Sequence, residues 1–273
     1  MSASPRPTVL ITGASTGIGL ELARLFASGG ATGKHRAITT PYNLILLARS
    51  RPRLTEVAER LAAEFGIGVQ IVTADLSHPK SPEEVFAYLN ETGTQIDALV
   101  NNAGFGANGN VAVLDIQLQL EMIQTNITSL FHLTKLFLPQ IIQRRGKIMN
   151  VASTAAFQPG PHMAVYYASK SFVLSFSEAL AEEVAPLGVT VSTLCPGPTR
   201  TEFQSRAGMA NAGMFKGPFT IDAAPIALEG FQGLMKGKPL VIAGPMNKAM
   251  VQGLRVAPRR LVTKLSGKVA QQK

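Results

Sequence analysis

The chain of 273 residues reads as a doubly wound α/β unit: a parallel sheet of about seven strands with helices on both faces. Three observations predict this. Short β-branched and aliphatic runs alternate with segments of helical periodicity along most of the length. The first run, Thr8-Val9-Leu10-Ile11, passes straight into a glycine-rich turn and then a helical pattern from Leu20 to Ala27. Hydrophobic residues make up 46% and charged residues 16%, enough apolar material for a large core and too little charge for disorder.

The elements follow in order. Leu44 to Ala48 reads as strand two, a helix pattern runs from about Leu54 to Phe65, and Val69 to Thr73 is strand three. Ser81 is placed as the cap of the next helix, with Pro82 in its first turn. Ile96 to Val100 is strand four, and one long helix is expected from about Leu118 to Arg144. Lys147 to Val151 is strand five, Val165 to Val184 a helix, Val189 to Leu194 strand six and Pro239 to Ala243 strand seven. Between the first helix and strand two, Gly29 to Asn43 contains roughly ten residues beyond a short crossover, rich in Gly, Thr and Pro, which reads as an inert surface loop. Residues 1–245 are taken as one domain and 246–273 as a basic amphipathic extension.

Composition excludes several classes. One cysteine, Cys195, rules out an intrachain disulfide and fits a reducing compartment, and its neighbours Leu194 and Pro196 suggest a buried core thiol. Histidines 35, 78, 132 and 162 lack ligand spacing, so no metal site is expected. No apolar stretch reaches membrane-span length and Met1 to Pro7 lacks a signal-peptide core, which makes a cytoplasmic protein the expectation.

The first chemical motif is Thr12-Gly13-Ala14-Ser15-Thr16-Gly17-Ile18-Gly19, set between strand and helix as in a Rossmann-type nucleotide-binding unit. Gly13 allows the tight turn, Gly17 lets backbone approach a pyrophosphate, and Gly19 lets helix pack on strand. The helix N-terminus then offers free N–H groups to phosphates. The second motif is Tyr166 and Lys170, one helical turn apart on one face. Because a phenol with its ordinary pKa of about 10 is a poor base at neutral pH, a nearby cation is expected to favour the phenolate. Tyr167 has Ser171 rather than a lysine four residues on, and Ser153 lies thirteen residues before Tyr166.

Together, the glycine turn at 12–19, Asp75-Leu76, Asn101-Asn102-Ala103-Gly104, Asn126, Ser153, Tyr166/Lys170 and Pro196-Gly197 resemble, in kind and order, the short-chain dehydrogenase/reductase family. The resemblance covers about residues 8 to 245. It implies that Tyr166 is the general acid/base, that Lys170 lowers its pKa and holds the nicotinamide ribose, and that Ser153 polarises the substrate oxygen. Asn126 would anchor a water on the proton path. Gly13, Ser15, Thr16, Gly17, Ile18 and Gly19 would meet the cofactor, with Asp75 and Leu76 at its adenine. Asn102, Ala103 and Gly104 would line it, and Pro196, Gly197, Thr199 and Thr201 would meet the carboxamide. Arg49, in the position where an NAD enzyme places an acid, offers a fork for a 2′-phosphate, so NADP(H) is expected over NAD(H). Arg51 would assist.

The function expected is oxidoreduction of a carbonyl or alcohol on an apolar or amphipathic small molecule, in a homodimer or homotetramer. Dehydratase or epimerase chemistry, and a non-catalytic NADP(H)-binding regulator or scaffold, are the alternatives. Glu202 to about Thr220, with Met209, Met214 and Phe215 among several glycines, reads as a substrate lid. The charge is lopsided. Residues 1–235 carry 17 Lys/Arg against 17 Asp/Glu, whereas 236–273 hold nine bases and no acid and supply the whole formal +9. Pro258 divides that tail into two short helices, which either lie on an anionic membrane or pack along the subunit or its neighbour. The tail has no aromatic residue and the chain no recognition motif, which argues against nucleic acid.

Overall fold

The computed structural model describes residues 6–33, 36–200 and 220–270. Strands β1 (Thr8–Thr12), β2 (Asn43–Ala48), β3 (Val69–Thr73), β4 (Ala98–Asn101), β5 (Lys147–Val151) and β6 (Thr190–Cys195) belong to one parallel sheet. Two dipeptide strands, β7 (Thr199–Arg200) and β8 (Ile221–Asp222), pair with each other, and β9 (Leu240–Ile242) completes the main sheet. The order is β3-β2-β1-β4-β5-β6-β9, seven strands as expected. It reverses between β1 and β4, whose Val9 and Ala98 are in register. A crevice opens at such a reversal beyond the carboxyl ends of the strands.

Strand residues alternate between two cores because both faces are covered. On one side, Val9, Ile11, Leu44, Leu46 and Val100 pack against α1 (Gly17–Ala27), α2 (Arg51–Phe65) and a helix spanning Ala223–Met235. On the other, Leu10, Ile45, Leu47, Leu99 and Ile148 meet α3 (Ser81–Glu91) and the helices that follow β4 and β5. Those are α5 (Leu130–Gln143) and α6 (Ala164–Val184), while α4 (Ile116–Ile123), just before α5, packs Met122 into a separate cluster with Met163 and Tyr166. The helix over Ala223–Met235 is α7, and α8 (Pro245–Val256) and α9 (Arg259–Ala270) end the described chain.

Two local expectations change. The long helix is α-helical only at its ends: Gln124–Ser129 form a π-helical turn between α4 and α5. Ser81 is the first helical residue rather than the cap, and its hydroxyl donates to Asp75 O at 2.7 Å. The described part of the Gly29–Asn43 segment, expected as an inert loop, joins the end of α1 to the start of β2 and so lies at the amino-terminal edge of the sheet, opposite the crevice. There Tyr42 is buried edge-on against Phe26, and Ile38 N donates to Gly29 O at 2.8 Å.

Candidate active site

The glycine turn is built around Thr12, the last residue of β1. Its Oγ1 accepts from Asn102 N at 3.0 Å and Ala103 N at 2.9 Å, and donates to Val100 O. Asn102 Nδ2 donates back to Thr12 O and Gly13 O at 3.0 and 3.1 Å. Asn102, Ala103 and Gly104 thus bind the turn after β4 to the turn after β1. Gly13 and Gly17 have φ of 65° and 57°, which side chains rarely adopt. A Cβ on Gly19 would overlap Gly13 O and the Asn102 amide. Ser15 and Thr16 lie in this turn and Ile18 is in the first turn of α1, whose Thr16 cap makes no side-chain hydrogen bond to that turn. The result is a backbone cradle at the positive end of a helix, the shape and charge a pyrophosphate requires. Gly19→Ala is expected to weaken dinucleotide binding at least tenfold and destabilise the protein by about 1–3 kcal/mol, checked by titration and denaturant unfolding.

At the far side of β2, Arg49 Nη1 stands 3.7 Å from Asp75 Oδ2. Asp75 Oδ1 also accepts from Ser77 N and Ser77 Oγ at 3.0 and 2.8 Å. Burial pushes the Asp75 carboxyl up, but the Ser77 hydrogen bonds, Arg49 and His78 outweigh it and hold the group below its ordinary value. Leu76 is buried beneath, and its carbonyl accepts from Ser129 Oγ at 2.7 Å.

The chemical centre gathers at the ends of β5 and β6. Ser153 follows β5, and its Oγ accepts from Ala155 N at 3.1 Å and donates to Pro196 O at 3.4 Å. The Tyr166 hydroxyl shares a hydrogen bond with Ser153. Lys170 Nζ lies 5.9 Å from the Tyr166 ring centroid and donates to Val151 O at 2.9 Å. Burial pushes Tyr166 up to about 12, and the Ser153 bond only partly offsets this. The same burial pushes Lys170 down to about 8. The expectation that Lys170 brings the phenol into a working range is therefore corrected for the protein alone. Desolvation dominates, because the surroundings are apolar (Ala155, Met163 and Tyr167) and the ammonium is turned towards a carbonyl.

Asn126 sits in the π-helical turn. Its Nδ2 donates to Phe105 O at 2.9 Å and Ser169 Oγ at 3.0 Å, while its Oδ1 accepts from Phe105 N at 3.1 Å. A Cβ on Gly104 would come within 3.0 Å of Asn126 Oδ1 and 3.3 Å of Lys170 Nζ, so these groups meet at one point. The Asn126 side chain is engaged in positioning. Thr199 Oγ1 donates to Gly197 O at 2.8 Å, and β7 pairs with β8, bringing together the two ends of the segment between them. Thr201 and residues 202–219 of the expected lid lie outside the described residues.

The short chain dehydrogenase family profile matches residues 7–211. The chain belongs to that family. It is an oxidoreductase that works with a nicotinamide cofactor. Among its relatives, the ketoacyl reductase 1 assigned to granaticin polyketide synthase in Streptomyces violaceoruber is 35% identical over 77% of this chain and 74% of its own. Serine 3-dehydrogenase of Agrobacterium fabrum is 34% identical over 81% and 84%. A short-chain dehydrogenase from Sphingobium yanoikuyae, solved with NADPH, superimposes with a TM-score of 0.77 at 32% identity, covering 93% of this chain and 97% of that one.

In this short-chain dehydrogenase, several positioning groups escaped the sequence reading. Thr12 enters the sequence motif only as the residue before the turn, with no role of its own, although a hydroxyl directly before the glycine turn is the available signal. Ser169 lies between the catalytic candidates, and its Oγ donates to Tyr166 O at 2.7 Å while accepting from Asn126. Cys195 is fully buried with its thiol pushed up to about 12 by burial, which suits a core residue rather than a nucleophile.

Proposed function

We propose that this short-chain dehydrogenase interconverts a carbonyl and an alcohol on an apolar or amphipathic small molecule, with NADP(H) preferred over NAD(H). The observation that carries the reading is Tyr166, buried, hydrogen-bonded to Ser153 and backed by Lys170. The cradle of Gly13, Gly17 and Gly19 fits a dinucleotide pyrophosphate, and Ser15, Thr16 and Ile18 would surround it. Bound there, the cofactor supplies or accepts the hydride. Tyr166, protonated at neutral pH, gives its proton to the carbonyl oxygen, while Ser153 holds and polarises that oxygen. Lys170 charges the site and replenishes the proton, with Asn126 ordering the water path beyond it. Asn102, Ala103, Gly104, Pro196, Gly197, Thr199 and Thr201 would line the nicotinamide half, with Asp75 and Leu76 at the adenine. Ala107, Met122, Met163 and the partly buried Phe105, Leu114 and Leu118 cluster with Tyr166, which supports an apolar substrate.

The NADP(H) preference rests on Arg49, which directly follows β2 where a 2′-phosphate would be met and, among the described residues, has Asp75 as its acid partner at 3.7 Å. Arg49→Ala is expected to weaken NADPH binding about 10–100-fold with little change for NADH. We assign residues 246–273 as an extension of a domain spanning 1–245. A homodimer or homotetramer is supported by exposed Leu120, Ile123, Phe131 and Phe172 on the long helices. The lone buried cysteine suits a cytoplasmic setting. The test is titration with NADPH and NADH, followed by turnover on a panel of carbonyls. NADPH preference with turnover supports the reading. Binding without turnover on any carbonyl overturns it in favour of a regulatory protein, and NADH preference removes Arg49 from the cofactor site.

A further inference from the structure

The last two helices carry two unlike faces. Inward, Asn247 and Val251 of α8 and Val262, Ser266 and Gly267 of α9 pack on the body. Asn247 Nδ2 donates to Ala243 O at 2.7 Å, and Val251 packs with Ala152, Ala156 and Cys195. A Cβ on Gly267 would stand 3.2 Å from the Pro161 ring, and buried Ser266 lies beside Tyr167. The expectation that the tail packs along the subunit describes this face, and it leaves the opposite one unused.

Outward, α9 bears two neighbouring rows at one-turn spacing. Leu261 and Leu265 form one row, 51% and 53% exposed. Arg260, Lys264 and Lys268, all exposed, form the other. Among the described residues none of these three cations has an acid partner, and 236–273 contains no acid to supply one. A solvated face has no need of exposed leucines in register, and the cores of protein–protein interfaces are depleted in lysine. An anionic bilayer surface takes both rows, with alkyl groups entering the headgroup–acyl boundary and cations at the phosphates. No helix among the described residues is long and apolar enough to cross a membrane, so α9 would lie on the surface. We infer that the outward face of α9 docks this enzyme onto anionic lipid bilayers.

The test is co-sedimentation of the full chain with phosphatidylcholine–phosphatidylglycerol vesicles and with pure phosphatidylcholine vesicles. Binding to the first alone, lost in high salt, is expected. Lys264→Gln with Lys268→Gln should lower partitioning about 25-fold, about fivefold per charge. Leu261→Ser with Leu265→Ser should lower it at least tenfold at constant charge. Unchanged NADPH titration shows that these outward variants remain folded, and it also keeps the outcome separate from the fate of the catalytic reading. No vesicle binding overturns the inference, as does binding that ignores the leucines, which is bare charge attraction. A fall in oligomeric mass in the leucine variant, with vesicle binding intact, assigns the face to another copy of the chain and overturns it too.

Discussion

Tyr166→Phe is expected to cut carbonyl turnover by about 10²–10⁴-fold while leaving NADPH affinity within about twofold of wild type. The phenyl ring keeps the packing against Ala155, Met163 and Tyr167, so the pocket is preserved and only the proton donor is lost. Burial holds the phenol at about 12, which makes Tyr166 a stored proton at neutral pH rather than a base. Reduction should therefore proceed readily near pH 7 and decline as pH rises through about 8, where Lys170 loses its charge. Alcohol oxidation, which requires Tyr166 to give up its proton first, should speed up with pH. NADPH consumption against pH, for wild type and variant, measures both. Turnover within tenfold of wild type in Tyr166→Phe would remove the hydroxyl from proton transfer.

Much of this arrangement was legible because strands buried on both faces leave continuous apolar runs, as Leu44 to Leu47 do. Glycines are needed wherever backbone meets backbone, as Gly13 and Gly19 meet the Asn102 turn. Ser153, Tyr166 and Lys170 come together because motif order maps onto strand order, and strand ends share one edge. What was not legible depends on tertiary contacts. The π-helical turn at Gln124–Ser129 lies where Asn126 reaches both Phe105 and Ser169, and helical periodicity carries no mark of it. Spacing placed a cation one turn from a phenol, but only the fold shows Lys170 spent on Val151 O and both groups desolvated. The charge asymmetry of the tail was visible at once. Its division into a docked face and an open face required the packing of Val262 and Ser266.

Lys170→Met is expected to inactivate the enzyme and yet make it no less stable at pH 7. Burial lowers the Lys170 pKa from 10.5 to about 8, so the fold disfavours the charged side chain. The unfolded chain then holds a proton that the folded one lacks between pH 8 and 10.5, and wild-type stability gains from this group as pH rises through that window. Below it the penalty is present in full, about 3 kcal/mol. Methionine has similar length, no charge and no donor. It removes the penalty and forfeits the bond to Val151 O, which leaves that acceptor unpaired at about 1–3 kcal/mol. The net change at pH 7 is a gain of about 1 kcal/mol, or about 2–4 °C in Tm. Raising the pH to 10 reverses the ranking, since wild type has by then shed the proton and keeps its stability while the variant still lacks a partner for Val151 O. Thermal unfolding of both proteins across this range decides the matter. A variant less stable at pH 7, or a gap that does not move with pH, would show that Lys170 is held in its charged form by interactions stronger than its burial.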